Sequence, residues 1–254
     1  MCDQDIKDDL SVYNPEGSNL RKTQLRIKEI LDHTVKILDA NNVRYWLQGG
    51  TLLGAIRHGG FIPWDDDIDI DVPCEQYKEM IKILKSSLPS DYYVNETTFM
   101  GKFGLGKNKK NWIQVKDKKS RIFVDGVDYG GLYIDIFPSK LAGEKEIKYL
   151  NYFRNKGISY TRKSFFTKAF YKLCYKLVPL IFKFEIKRYR YEEGWDYAYD
   201  EISNFEKLSY VYFENSEYSS PYNPDSFLKK SFGDYMSIPP KESRPRHFNK
   251  VEFF

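Results

Sequence analysis

Between residues 49 and 71 a glycine pair precedes a run of aspartates: Gly49-Gly50-Thr51-Leu52-Leu53-Gly54-Ala55-Ile56-Arg57, then Trp64-Asp65-Asp66-Asp67-Ile68-Asp69-Ile70-Asp71. Written as a strand, Asp65, Asp67, Asp69 and Asp71 share one face, and Ile68, Ile70 and Val72 share the other. Like charges in such a row repel. A divalent cation removes that penalty, and hard oxygen ligands suit Mg²⁺ (or Mn²⁺). The chemistry this predicts is metal-dependent phosphoryl transfer. A solvated acidic edge strand is the plain alternative, but it leaves the isoleucine face without a reason to be buried. A calcium loop of the EF-hand kind fails in both registers. Starting at Asp67 puts Val72 at the glycine position and Lys78 at the bidentate glutamate; starting at Asp65 puts Ile70 and Gln76 there.

Other residues extend the chemistry. Gly49, Gly50 and Thr51 open a short helix expected over 51–57, whose N-terminal amides and dipole suit phosphate. Glycine lets the backbone approach closely; a tight turn with Thr51 as N-cap competes with that reading. Asp135 stands alone between Ile134 and Ile136, so its carboxylate needs a cationic partner or a metal. Held ionised by a metal, it can take the proton of an attacking hydroxyl. Arg57 can hold a phosphate by a forked contact. Arg57 and His58 equally suit a solvated helix C-terminus. In the tail, residues 232–247, Arg244, Arg246 and His247 can complete a phosphate pocket or lie on an exposed arm.

These residues need a scaffold. Ile27, Ile30, Leu31, Val35 and Leu38 predict a helix over 20–40. A strand is expected over 43–48 and the carboxylate strand over 68–72. After Pro73, Tyr77, Met80, Ile81, Leu84 and Leu88 predict a helix. Strands are expected over 92–94, 112–115, 121–124 and 132–138, the last closed by Pro138. Residues 107–111 read as an exposed basic turn. From about residue 144 the pattern turns helical, over 145–160 and 165–190. The organisation expected is a polar lead-in (1–19), a catalytic core (20–140), and a mainly helical region with a proline-rich tail that completes the site (141–254).

Residues 165–190 mix aromatic and aliphatic residues with Lys168, Lys172, Lys176, Lys183, Lys187 and Arg188. Such a segment lies on an anionic membrane, or packs on the core with a solvated face. The aromatic run Tyr189, Tyr191, Trp195, Tyr197 and Tyr199 can cage a quaternary ammonium or serve as core. The chain has 254 residues and net charge +4, from 40 basic and 36 acidic residues. That balance gives no case for nucleic acid. Cys2, Cys74 and Cys174 form no CxxC pair, so no zinc site or disulfide framework is expected. The acidic start does not read as a signal peptide. The best apolar stretch, 173–186, is broken by Lys176, Pro179, Lys183 and Glu185. A cytoplasmic location is expected, with contact at the inner face of the cytoplasmic membrane if 165–190 binds lipid.

The runs Gly49 to Arg57, Ile62 to Ile70, Tyr133-Ile134-Asp135-Ile136-Phe137-Pro138 and Gly233-Asp234-Tyr235-Met236-Ser237-Ile238-Pro239-Pro240 resemble the LicD/fukutin-type family of the nucleotidyltransferase fold superfamily. The resemblance implies an α+β fold, a nucleotidyltransferase-like mixed β-sheet flanked by helices with a helical C-terminal part. It implies Asp67 and Asp69 as the metal-binding pair, Asp135 as third carboxylate and base, and Asp65 as a further ligand. It also draws Asp234, Arg244 and His247 toward the site. The implied activity is transfer of phosphocholine, or a related phospho-substituent, from CDP-choline or another CDP-linked donor, with release of CMP. The implied acceptor is a hydroxyl of a cell-surface glycan: teichoic acid, lipopolysaccharide or a capsule precursor. A nucleotidyltransferase releasing pyrophosphate and an inactive scaffold are the alternatives.

Overall fold

A computed structural model of the chain describes residues 9–99, 107–158, 165–192, 199–244 and 247–254. Cys2, Trp195, Tyr197 and Arg246 lie outside the described residues. The first long element is α1 (Asn19–Ala40), started by Ser18, whose hydroxyl accepts from the Arg21 amide at 3.1 Å. There follow β1 (Trp46–Leu47), α2 (Gly49–His58), β2 (Asp69–Pro73) and α3 (Cys74–Ser87). Next come β3 (Tyr92–Phe99), β4 (Lys107–Asp117), β5 (Ser120–Val124), β6 (Val127–Asp128) and β7 (Tyr133–Ala142). The remainder comprises α4 (Glu144–Ile158), α5 (Phe165–Ile181), β8 (Tyr189–Glu192), β9 (Tyr199–Glu201) and α6 (Ser203–Glu206). It ends with β10 (Ser209–Phe213), β11 (Ser216–Ser220), α7 (Pro224–Phe232) and β12 (Lys250–Phe253).

The fold is α+β, built on a mixed sheet in the order β1-β2-β7-β4-β3, with β8 beside the far part of β7 and β9 outside β8. Only the β2–β7 pair is parallel among these described strands. Helices α1 and α3 touch one another and cover the sheet from β2 to β3. Ile27, Ile30, Leu31 and Leu38 of α1 join Ile70, Val72, Ile113, Val115, Ile134 and Ile136 of the strands in one buried core. The apolar residues of β2 and β7 recur at every second position, so the intervening aspartates emerge on the other face.

Four local expectations change. Residues 107–111 are not a turn: they extend β4, pairing with the end of β3 beyond a register shift between Asn95 and Thr97. Pro138 does not close β7, which runs on to Ala142. On one side β4 pairs as far as Ile136 and β8 begins at Ser139, so a proline there removes no bond of those ladders. The helix expected over 165–190 stops at Ile181, two residues after Pro179. The chain then turns back, and Tyr189–Glu192 becomes β8 of the main sheet. There Arg190 is buried, donating to the Ser139 carbonyl at 2.9 Å. Finally, Gly49 and Gly50 form the first turn of α2 itself rather than a turn before it.

Candidate active site

The parallel register sets Asp69 directly beside Asp135. Tyr77 holds this part of β7 in place: its hydroxyl donates to the Ile136 carbonyl of β7 and accepts from the Ile113 amide of β4. Asp65 and Asp67 lie on the irregular segment before β2, not on the strand. Backbone contacts anchor that segment, since the Asp135 amide donates to the Ile68 carbonyl at 3.0 Å. Asp71 shares the strand face of Asp69 but is buried and stands off the cavity. The acidic row is thus two residues of a strand and two of a loop.

Asp65, Asp67 and Asp69 line a cavity of about 670 Å³ whose walls include Gln48, Gly49, Gly50, Arg57, Trp64 and His247. Both glycines stand close to the carboxylates. A Cβ on Gly50 would stand 2.9 Å from Asp65 Oδ2, and one on Gly49, whose φ is +55°, would stand 3.5 Å from Asp69 Oδ2. Thr51 does not cap the helix. Its hydroxyl accepts from the Asp69 amide at 2.8 Å and so ties α2 to β2, while Gln48 takes the N-cap position.

The tail closes over the acidic loop through Asp66, a residue the alternating pattern leaves off the active face. Asp66 is buried and accepts from the main-chain amides of His247 and Phe248, each at 3.0 Å, with His247 Nδ1 at 2.8 Å. The same nitrogen lies 3.3 Å from Asp67 and 3.9 Å from Asp65. Its hydrogen bond to Asp66 and the three carboxylates raise the imidazole to about 9, against the opposing effect of burial. Burial first, then Asp67, raises the Asp65 carboxyl well above its ordinary value; burial likewise raises Asp67, with His247 opposing. Tyr133 is pushed up by burial and by Asp135, Asp67, Asp69 and Asp66.

A hard cation suits this set. The cavity presents oxygen-only carboxylates that repel one another and are partly desolvated, beside two glycines that leave room for a ligand. Asp65, Asp66 and His247 bring ligand atoms within 4.8 Å of one another. Asp66, however, is engaged by two amides and acts as the clamp on the tail.

The remaining candidates divide. Asp135 accepts from Trp112 Nε1 at 2.7 Å, an orienting partner contributed by β4 that no local pattern indicates. Arg57 lines the cavity, but its guanidinium donates to the carbonyls of Tyr235 at 2.7 Å and Ser237 at 3.1 Å, and to His58 Nε2 at 2.9 Å. Burial and Arg57 lower His58 to about 4, so it is neutral near pH 7. Asp234 also lines the cavity, as do Phe232 and Tyr235. Arg244 is not itself in the cavity lining but packs behind it, stacking 4.5 Å from the Trp64 ring centroid and donating to the Pro239 carbonyl. Arg57 and Arg244 therefore bind the tail to the core.

Fold and site together define an α+β protein in which carboxylates from β2 and the loop before it gather at a glycine-lined cavity. The sequence matches the family described as LicD/FKTN/FKRP, nucleotidyltransferase domain, over residues 42–182. The chain belongs to this family. It is similar to the lipopolysaccharide cholinephosphotransferase LicD of Haemophilus influenzae, 28% identical over 259 residues that cover 91% of this chain and 97% of that protein. It is also similar to the ribitol 5-phosphate transferase FKRP of Mus musculus, 43% identical over 75 residues, 29% of this chain and 15% of that protein. The family match contains the glycine pair, the acidic run and Asp135, and stops short of Asp234, Arg244 and His247.

Proposed function

We propose that the protein transfers phosphocholine, or a related phospho-substituent, from a CDP-linked donor to a hydroxyl of a cell-surface glycan, releasing CMP. The observation that carries the reading is that Asp65, Asp67 and Asp69 line one cavity, with Asp135 beside Asp69 across the parallel pair though not itself in the cavity lining. The near full-length likeness to a cholinephosphotransferase supports choline as the group moved. So does the cavity wall of Phe232, Tyr235 and Asp234, because aromatic rings and a carboxylate together suit a quaternary ammonium.

Asp67, Asp69 and Asp135, with Asp65, would hold Mg²⁺ (or Mn²⁺). When bound, the ion neutralises charge on the donor diphosphate and on the departing nucleotide. The first-turn amides of α2 at Gly49 and Gly50 receive phosphate oxygens. Arg57, placed by the tail carbonyls, adds positive charge to the same wall. The acceptor hydroxyl oxygen bonds to the choline-bearing phosphorus, and the bond from that phosphorus to the bridging oxygen breaks. Its electron pair leaves with CMP. Asp135, oriented by Trp112, accepts the hydroxyl proton.

The test is a screen of CDP-linked donors with Mg²⁺ and glycan acceptors, reading CMP. Asp67→Asn should lower turnover by about a thousandfold. The same variant should unfold at a higher temperature than the parent in chelator, because it relieves the repulsion between Asp65 and Asp67. Pyrophosphate release from a nucleoside triphosphate, or full turnover by Asp67→Asn, would overturn the reading.

A further inference from the structure

Helix α5 carries two apolar faces. One is satisfied: Val178 is buried with Ile147 and Leu150 of α4 and Tyr191 of β8. The other is open. Phe170, Leu173, Leu177, Leu180 and Ile181 are between 40% and 67% exposed. At about 100° per residue they fall within an arc of roughly 100°, a continuous stripe along the helix. Phe184, just beyond the helix, is 88% exposed and extends the stripe. An exposed apolar stripe of this kind marks an interaction surface.

Charge selects its partner. Residues 165–184 contain no Asp or Glu and four lysines, 168, 172, 176 and 183. Lys172 and Lys176 are exposed along one border of the stripe. Glu185, the next acidic residue, is turned inward, accepting from the amides of Lys145 at 2.9 Å and Glu146 at 3.1 Å at the start of α4. Lys176 and Lys183 also line a cavity of about 500 Å³ with Lys140 and Lys187, alongside Glu75 and Glu146. A second copy meeting this face about a two-fold axis would bring like charges together. An anionic bilayer instead accepts the apolar stripe and pairs with the lysines, whose long stems let the ammonium groups reach headgroup phosphates. No helix among the described residues is long and apolar enough to cross a membrane.

We propose that α5 and the segment after it lie flat on an anionic membrane surface, with Leu173, Leu177, Leu180, Ile181 and Phe184 seated at the headgroup boundary. The contact is independent of the transfer chemistry. The test is flotation of the full chain with vesicles of phosphatidylcholine alone or mixed with phosphatidylglycerol. The parent should float with the mixed vesicles, release in high salt, and bind phosphatidylcholine about tenfold less. Leu177→Glu/Leu180→Glu and Lys172→Glu/Lys176→Glu should each weaken flotation about tenfold or more. Phe184→Ser reads the same surface outside the helix, should either pair disturb α5. The proposal is overturned if the parent stays with the unbound fraction, or if all three variants float as the parent does. It is equally overturned if light scattering shows a parent dimer that Leu177→Glu/Leu180→Glu returns to monomer. Capture of an acidic protein in place of vesicles would also overturn it.

Discussion

Asp66 is expected to govern both the stability of the tail and the shape of the cavity. It is 3% exposed and receives two main-chain amides and the His247 ring nitrogen, at 2.8 to 3.0 Å. Hydrogen bonds to a charged acceptor contribute about 1.5–3 kcal/mol each. The two amides of an Asp66→Ala variant have no replacement acceptor at the buried Phe248 end. The ring contact counts for less, because 43% of the His247 side chain is exposed and water can substitute. The expected loss is about 3–5 kcal/mol, comparable to removing one partner of a buried charged pair. For a chain of this size that is a fall in Tm of roughly 10 °C. β12 remains paired with β5 from Lys250 to Phe253, so the tail loosens at 247–248 without leaving. Turnover should fall with stability, since His247 is part of the cavity wall. Asp66→Asn keeps one acceptor oxygen and should recover about half of the loss. The assays are thermal unfolding by circular dichroism and CMP release on the same preparations. An Asp66→Ala variant melting with the parent, or Asn no better than Ala, would refute the reasoning.

Two further outcomes follow from the geometry. Gly50→Ala should displace the Asp65 carboxylate, because the new Cβ would stand 2.9 Å from Oδ2. Apparent Mg²⁺ affinity should weaken by about tenfold with little change in Tm, measured by titrating activity against the metal. Arg26→Gln should destabilise by about 3 kcal/mol near neutral pH, since the buried Asp117 loses a partner at 2.6 Å. Burial pushes the Asp117 carboxyl up, but Arg26, the Ser120 hydroxyl and the Lys119 amide together hold it below its ordinary value. A depressed carboxyl stabilises above its unfolded value of about 3.9 and loses that contribution as pH falls through the folded value. The gap between parent and variant should therefore narrow below about pH 4 in melting curves. A gap that stays constant into acid would sink the assignment.

Much of the fold was legible because local rules and tertiary demands agree. The apolar period of α1 and the alternation Ile68, Ile70, Val72 each need one neighbourhood of residues to be read. The expected strand over 132–138 is present, and the acid within it, Asp135, does stand beside Asp69. Where reading failed, a distant partner had overridden the local signal. Pro138 punctuates β7 only on paper, because β4 and β8 change places beside it. Residues 189 and 190 read as the end of a helix over 165–190, yet α5 ends early, just after Pro179, and the main sheet takes 189–192. Thr51 has the composition of a cap, but β2 supplies a better use for its hydroxyl.

For this protein, residue types and spacing alone determined which groups are candidates for chemistry. Four aspartates after a glycine pair, with a lone acid in a later strand, can be picked out whatever the path of the chain. Only the tertiary structure decided where each acid stands and what it contacts. It put Asp71 off the cavity and gave Asp66 to the tail. It set Trp112 on Asp135 and turned Arg57 and Arg244 to carbonyls and an aromatic ring. The reason is that a carboxylate's or guanidinium's role depends on which donors, acceptors and charges lie within a few ångströms. Residues from β4, β7 and the last turn before β12 meet there only after folding.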